Sequence, residues 1–319
     1  MARIAHVFAF VVLTAGRTTV AQSTASDTAG VIGRWDLTVR GSAGTYPSWL
    51  EVRKSGRQSL VGQFVGRFGS ARPIAKVAFD HDTLSFSVPP QWENQTTDIT
   101  VVGWLANGHL TGFVTDSAGN KLSWTADRAP ALRRAAEPSW GKETPLFNGA
   151  TLAGWHVIGD SQWRVVGGVL TNAKAGGNIV TDSSFDDFKL HVEFRYPKGG
   201  NSGVYLRGRY EAQIEDSRGL ELASDHLGGI YGFVAPSADA AKGPGEWQTY
   251  DITLVGRMVT VVLNGKTVIC NREIPGITGG ALDSNESAPG PIFLQGDHGP
   301  VEFRRIMITR AVSAPGTGP

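Results

Sequence analysis

Between residues 31 and 129, apolar and polar positions alternate with a period of two. Alternation of this kind places every second side chain on one face of an extended strand. The runs are Arg34-Trp35-Asp36-Leu37-Thr38-Val39, Leu50-Glu51-Val52, Leu60 to Val65, Thr83 to Val88, Val101 to Leu105, Leu110 to Val114 and Lys121 to Ala126. Turn residues separate them, as in Ala106-Asn107-Gly108 and Ser117-Ala118-Gly119-Asn120. A meander of strands without helical period hides its edges by closing on itself. The pattern therefore predicts a small β-barrel-like domain over residues 28–129.

Residues 130–141, with two prolines and three charges, break the alternation and read as a linker. Strand patterns resume at residue 142. Phe188 to Tyr196 alternates throughout, and Trp163 to Val166 is followed by Gly-Gly and Val169-Leu170. Val259 to Leu263, Asn264-Gly265 and Lys266 to Cys270 form a hairpin pattern around a turn pair that favours positive φ. Ile292 to Gln295 and Val301 to Ile308 complete the set. Evenly spaced strands without helical period predict an antiparallel β-sandwich over residues 142–312, so the whole chain reads as all-β. A Pro/Gly-rich tail, 313–319, reads as disordered.

Composition narrows the functional classes. The formal net charge is +1 and charged residues make up 18% of the chain. With no basic stripe carrying interleaved aromatics, nucleic acid is not expected as a partner. Residues 1–21 carry Arg3, a short apolar run from Ile4 to Ala15, and small residues before a cut after Ala21. They read as a signal peptide, too short to span a bilayer, and imply export to a periplasmic or extracellular location. Cys270 is the only cysteine, so no internal disulfide forms; its apolar neighbours predict a buried position.

Some of the second domain's segments are more distinctive. They include Leu146-Phe147-Asn148-Gly149, Asn201-Ser202-Gly203-Val204-Tyr205-Leu206-Arg207, Tyr210-Glu211-Ala212-Gln213-Ile214-Glu215-Asp216, Gly229-Ile230-Tyr231-Gly232, Gly245-Glu246-Trp247, and Gly290-Pro291 through His298-Gly299. In this order they resemble the 3-keto-disaccharide hydrolase family, over about half the chain. The resemblance implies a concanavalin-like jelly roll and an enzyme acting on glycosides already oxidised at carbon 3. A base would remove the proton at carbon 2, the enolate would expel the glycosidic oxygen, and water would add. The partner would be an oligosaccharide or glycoside. The first domain carries no motif tied to a chemistry.

Read as strands, 203–207 and 211–215 turn Val204, Leu206, Ala212 and Ile214 to one side and Tyr205, Arg207, Glu211, Gln213 and Glu215 to the other. The first side is apolar and suits a core; the second suits a sugar platform. Glu211 or His298 is the expected base, since either can titrate near neutrality in a shifted environment. Arg207 is the expected electropositive group. Asp216 would orient His298 or help hold a cation. Tyr205, Gln213, Glu215, Tyr231 and Gln295 would bind the substrate. No cofactor is required by the sequence, although Glu211, Asp216, Asp297 and His298 are donors of the kind that hold a divalent cation.

Two other readings stay open at this point. Glu211-Ala212-Gln213-Ile214-Glu215 is similar to the paired-carboxylate strand of retaining β-glucanases, with Glu211 and Glu215 as the pair and an uncharged Gln between them. The same fold also serves non-catalytic carbohydrate-binding modules.

Overall fold

The computed structural model describes residues 28–41, 44–116 and 119–312. The expected signal peptide at 1–21 and tail at 313–319 lie outside the described residues. Among those residues the chain is all-β, apart from one short 3-10 turn at Thr28–Gly30.

Eight strands close the first barrel: β1 (Gly33–Gly41), β2 (Gly44–Ser55), β3 (Ser59–Val65), β4 (Arg72–Asp80), β5 (Thr83–Val88), β6 (Ile99–Ala106), β7 (His109–Thr115) and β8 (Lys121–Arg128). Each pairs antiparallel with the next, and β8 returns to β1 with Leu37 opposite Ala126. The alternating apolar residues Trp35, Leu37, Val39, Leu50, Val52 and Phe64 all turn into its core. Gly103 and Gly112 sit opposite each other on β6 and β7. A Cβ on them would lie 2.4 and 2.5 Å from the Trp124 ring, so the broad indole rests on bare backbone there.

The sandwich begins with the short strands β9 (Ser139–Trp140), β10 (Thr144–Pro145), β11 (Trp155–Ile158), β12 (Trp163–Val166), β13 (Val169–Asn172) and β14 (Asn178–Thr181). It continues with β15 (Phe188–Arg195), β16 (Asn201–Leu206), β17 (Tyr210–Glu215), β18 (Gln248–Val255) and β19 (Met258–Leu263). It ends with β20 (Lys266–Glu273), β21 (Phe293–Leu294) and β22 (Val301–Val312). One sheet has the order β12-β13-β22-β15-β18-β19-β20, with β9 and β10 against β22; the other has the order β11-β14-β21-β16-β17. Phe188, Leu190, Val192 and Phe194 from the first sheet meet Val204, Leu206, Ala212, Ile214 and Leu294 from the second. Burying each such side chain stabilises the fold by about 1.5–3 kcal/mol before entropy is counted.

Cys270 is exposed, against expectation. The β19–β20 register shifts between Val259 and Val262, so consecutive Val268 and Ile269 both face inward. That bulge turns Cys270 out to solvent.

The two domains are not strung loosely together. Trp49 and Val65 of the barrel belong to the sandwich core, and Trp49 meets Phe233 edge-on at 5.3 Å. Residues 130–141 lie along the sandwich rather than bridging a gap. The Pro130 carbonyl accepts from Arg257 Nε (3.0 Å), Arg134 pairs with Asp187 (2.5 Å), and β9 adds to β22.

Candidate active site on the second sheet

The outer face of the β16–β17–β21 sheet presents two rows of side chains. Tyr205 lies between Phe293 and Glu211, and Gly203 lies opposite Gln213. Gln295 joins the second row through its backbone N–H, which donates to the Gly203 carbonyl (3.0 Å). Tyr205 and Phe293 stack at 4.3 Å. A Cβ on Gly203 would lie 2.2 Å from Glu211 Oε1, so the missing side chain makes the space the carboxyl occupies.

This face is covered rather than wet, contrary to the open platform expected from alternation alone. Tyr205, Glu211, Gln213 and Gln295 are all buried. Residues 228–234 run beside β17 and supply part of the cover: Gln213 N donates to Gly229 O, and Tyr231 N donates to Glu211 O, both at 3.0 Å. That pairing sets Tyr231 beside Glu211. Residues 278–280 supply more: Thr278 Oγ1 accepts from Glu211 N (3.1 Å), and the Gly279 carbonyl lies 2.9 Å from Tyr205 Oη.

Burial pushes the Glu211 carboxyl from its ordinary 4.5 up to about 8, against the Tyr205 hydroxyl, which favours the ionised form; Asp297 and Glu215 raise it further. The local hydrogen bonds are consistent with a neutral acid. Tyr205 Oη is 2.9 Å from both Glu211 Oε2 and the Gly279 carbonyl, but has one proton. When that proton goes to the carbonyl, Glu211 stays bonded to Tyr205 by carrying a proton of its own.

His298 stands half-exposed beside Asp297, with Nδ1 2.6 Å from Asp297 Oδ1. That hydrogen bond raises the imidazole above its ordinary 6.5, against the opposing effect of burial. With Nδ1–H committed to Asp297, Nε2 carries the free lone pair. Asp297 thus links the two titrating groups, since its charge acts on Glu211 as well.

Two expected residues fall elsewhere. Arg207 sits in the β16–β17 turn with φ 54°, which breaks the strand alternation. Its fully buried guanidinium donates to Tyr210 Oη (2.9 Å) and pairs with Asp186 (3.1 Å). Tyr210 belongs to the core side of β17, so Arg207 is not the electropositive group of the Glu211 face. Asp216 does not hold His298, which is held by Asp297. Its carboxylate instead accepts from Gly199 N (2.9 Å) and caps the turn before β16.

The remaining polar groups surround Glu211. Gln213 donates to the Asp225 carbonyl (3.1 Å), while its Oε1 and that of Gln295 are buried without a partner among the described residues. Buried acceptors left open in this way are ready for ligand or water hydroxyls. Half-buried Glu215 has its carboxyl raised by burial. The Tyr231 phenol is pushed up to about 12, mainly by burial and the Glu211 charge, with the nearby Trp92 side chain acting the other way. Trp92 belongs to the barrel, in Pro89-Pro90-Gln91-Trp92-Glu93, and no sequence signal tied it to this site; an exposed Trp between strands was the only hint. Among the described residues no group of three or more His, Cys, Asp or Glu side chains is set to hold a metal ion. Nor is any helix there long and apolar enough to cross a membrane.

The 3-keto-alpha-glucoside-1,2-lyase-like domain family matches residues 142–309, which include the whole outer face just described. The chain belongs to this family. Residues 142–309 are accordingly a glycosyl hydrolase-like, carbohydrate-active domain. No curated protein matches the chain. Among solved structures it is similar to a candidate glycosyl hydrolase of Parabacteroides distasonis, at 30% identity over 58% of this chain and 97% of that one, TM-score 0.48. It is also similar to the carbohydrate-binding module CBM66 of Bacillus subtilis, at 14% identity over 48% and 93%, TM-score 0.35. A third is porphyranase B of Zobellia galactanivorans, at 11% over 58% and 100%, TM-score 0.34.

Proposed function

We propose that the family domain cleaves 3-keto-glycosides by elimination and hydration. The observation that carries this reading is a buried Glu211 carboxyl bonded to Tyr205 at 2.9 Å, with the half-exposed His298 bonded to Asp297 on the loop that follows β21. Both environments favour the protonated form, so Glu211 as acid and His298 as base act together in the interval above the His298 pKa and below that of Glu211.

His298 Nε2 takes the proton from carbon 2 of the sugar, whose acidity comes from the neighbouring ketone. Charge develops on the carbon 3 oxygen, where the Tyr231 O–H donates. The bond from carbon 1 to the glycosidic oxygen breaks, and Glu211 gives that oxygen its proton. The free alcohol leaves an unsaturated keto sugar. Glu211, now a carboxylate, takes a proton from water as the water oxygen bonds to carbon 1, and the half-exposed His298, after exchanging its proton with solvent, protonates carbon 2. The sum is one glycoside and one water converted to one 3-keto sugar and one alcohol. Gln213 and Gln295 Oε1 accept from sugar hydroxyls.

Incubation with a 3-keto-glucoside and with the matching unoxidised glucoside tests the reading. Turnover of the keto sugar alone is expected. Turnover of the plain glucoside would favour a retaining pair, Glu211 and Glu215, and binding without turnover would favour a carbohydrate-binding module. An unchanged rate in Glu211→Gln would remove Glu211 from the chemistry.

A further inference from the structure

The barrel holds a cavity of about 280 Å³ that is open to solvent at its mouth. Its wall is aromatic, formed by Tyr46, Phe64, Phe68, Trp92 and Trp124, with Arg67 beside them. An eight-stranded barrel is wide enough either to fill with side chains or to hold one small ligand. Here the Gly103–Gly112 pair lets the Trp124 indole lie flat on the strands. Volume sets the size of the occupant. A cavity of about 150 Å³ takes a benzene, so this one suits an aryl group of one or two rings. Charge sets its polarity. Of the two lining carboxylates, Glu93 is taken up by Arg72 at 2.8 Å and Asp116 accepts from Asn120, while the Arg67 guanidinium stands over the Tyr46 and Phe68 rings at 5.6 and 5.1 Å. A cation poised over rings favours a neutral, electron-rich aromatic guest.

The cavity shares a wall with the Glu211 site. The Arg67 carbonyl accepts from Gly280 N (2.9 Å), and the preceding Gly279 carbonyl is the one that meets Tyr205. Trp92 lines the cavity, and its side chain also lies near enough to the Tyr231 phenol to act on it. Phe68 and Trp92 are 49% and 68% exposed, which is unusual for side chains this large and apolar.

We propose that the barrel cavity is an aryl-binding subsite that receives the aglycone of the glycoside cleaved in the sandwich. The identity of that glycoside rests on the keto-glycoside reading; binding of an aryl group in the cavity does not.

Calorimetric titration of the full-length protein with 2-naphthol tests the cavity directly. Binding at one site is expected. Val114→Trp, which fills the cavity from β7, should weaken it by about tenfold or more, the loss expected when a ring is denied apolar surface. If Val114→Trp does not fold, Val101→Phe fills the same space from β6. The source of the aryl group is tested by turnover. A 4-methoxybenzyl 3-keto-glucoside, whose alcohol leaves about as readily as methanol, should exceed the methyl 3-keto-glucoside in kcat/KM by about tenfold. The filled variant should lose that advantage and keep the methyl rate. No naphthol binding, or binding that survives filling, overturns the subsite. Naphthol binding lost on filling, with both glycosides turned over alike, overturns the aglycone assignment and makes the guest a free aryl molecule. If neither glycoside turns over, the keto-glycoside reading fails by itself and naphthol decides the cavity.

Discussion

Replacing Glu211 with Gln should make the protein more stable at alkaline pH while removing its activity. The carboxyl's folded pKa, about 8, lies above its ordinary 4.5. Below 4.5 both folded and unfolded chains hold the proton, and the full stability is present. Above it the unfolded chain ionises first, so stability falls as pH rises and is lost through pH 8. The gap, at about 1.4 kcal/mol per pH unit, is worth about 5 kcal/mol. The amide of Glu211→Gln has nothing to ionise and escapes that loss. Stability of this size moves the thermal transition of a chain this long by about 10 °C. Thermal melts of both proteins from about pH 5 to about pH 9 read the difference, with every other titrating group cancelling. The two transitions should diverge steadily with pH, the variant melting higher. Parallel curves would refute the argument, because they would mean that Glu211 is ionised in the folded protein at all these values.

Gly203→Ala places a methyl 2.2 Å from Glu211 Oε1; displacing the carboxyl should lower kcat/KM by about 100-fold, readable by initial rates, at a cost of about 1–3 kcal/mol in denaturant melts. Asp297→Asn removes the charge that raises both His298 and Glu211, so both limbs of the pH–rate profile should move to lower pH. Glu286→Ala leaves Arg257, its bidentate partner, charged and buried without a carboxylate, and should destabilise by about 3–5 kcal/mol in urea titrations. Asp36→Asn, at the barrel side of that cluster, should change little near neutral pH, because burial and the Glu286 charge hold Asp36 protonated.

Much of this arrangement is legible in the sequence because β-structure writes itself as alternation. The barrel strands and the apolar side of β16 and β17 follow directly from it. Alternation carries no information about what covers the second side. Glu211 is covered by residues 228–234 and by residues 278–280, the latter backed by the barrel through Arg67, and none of these is adjacent to it in sequence. Counting by twos also fails where the chain departs from regular strand. The positive φ at Arg207 and the β19–β20 bulge each send a side chain to the face opposite the one expected, Arg207 inward and Cys270 outward. His298 is readable as a candidate base, but nothing in the local sequence says that Asp297 rather than Asp216 holds its imidazole.

Running the cleavage of a 3-keto-glucoside in heavy water and weighing the released sugar tests the elimination most directly. Loss of a proton from carbon 2 and its return from solvent should leave one deuterium at that carbon, above a control without protein. Release of the alcohol with carbon 2 unlabelled would contradict it, since displacement at carbon 1 alone never touches that hydrogen.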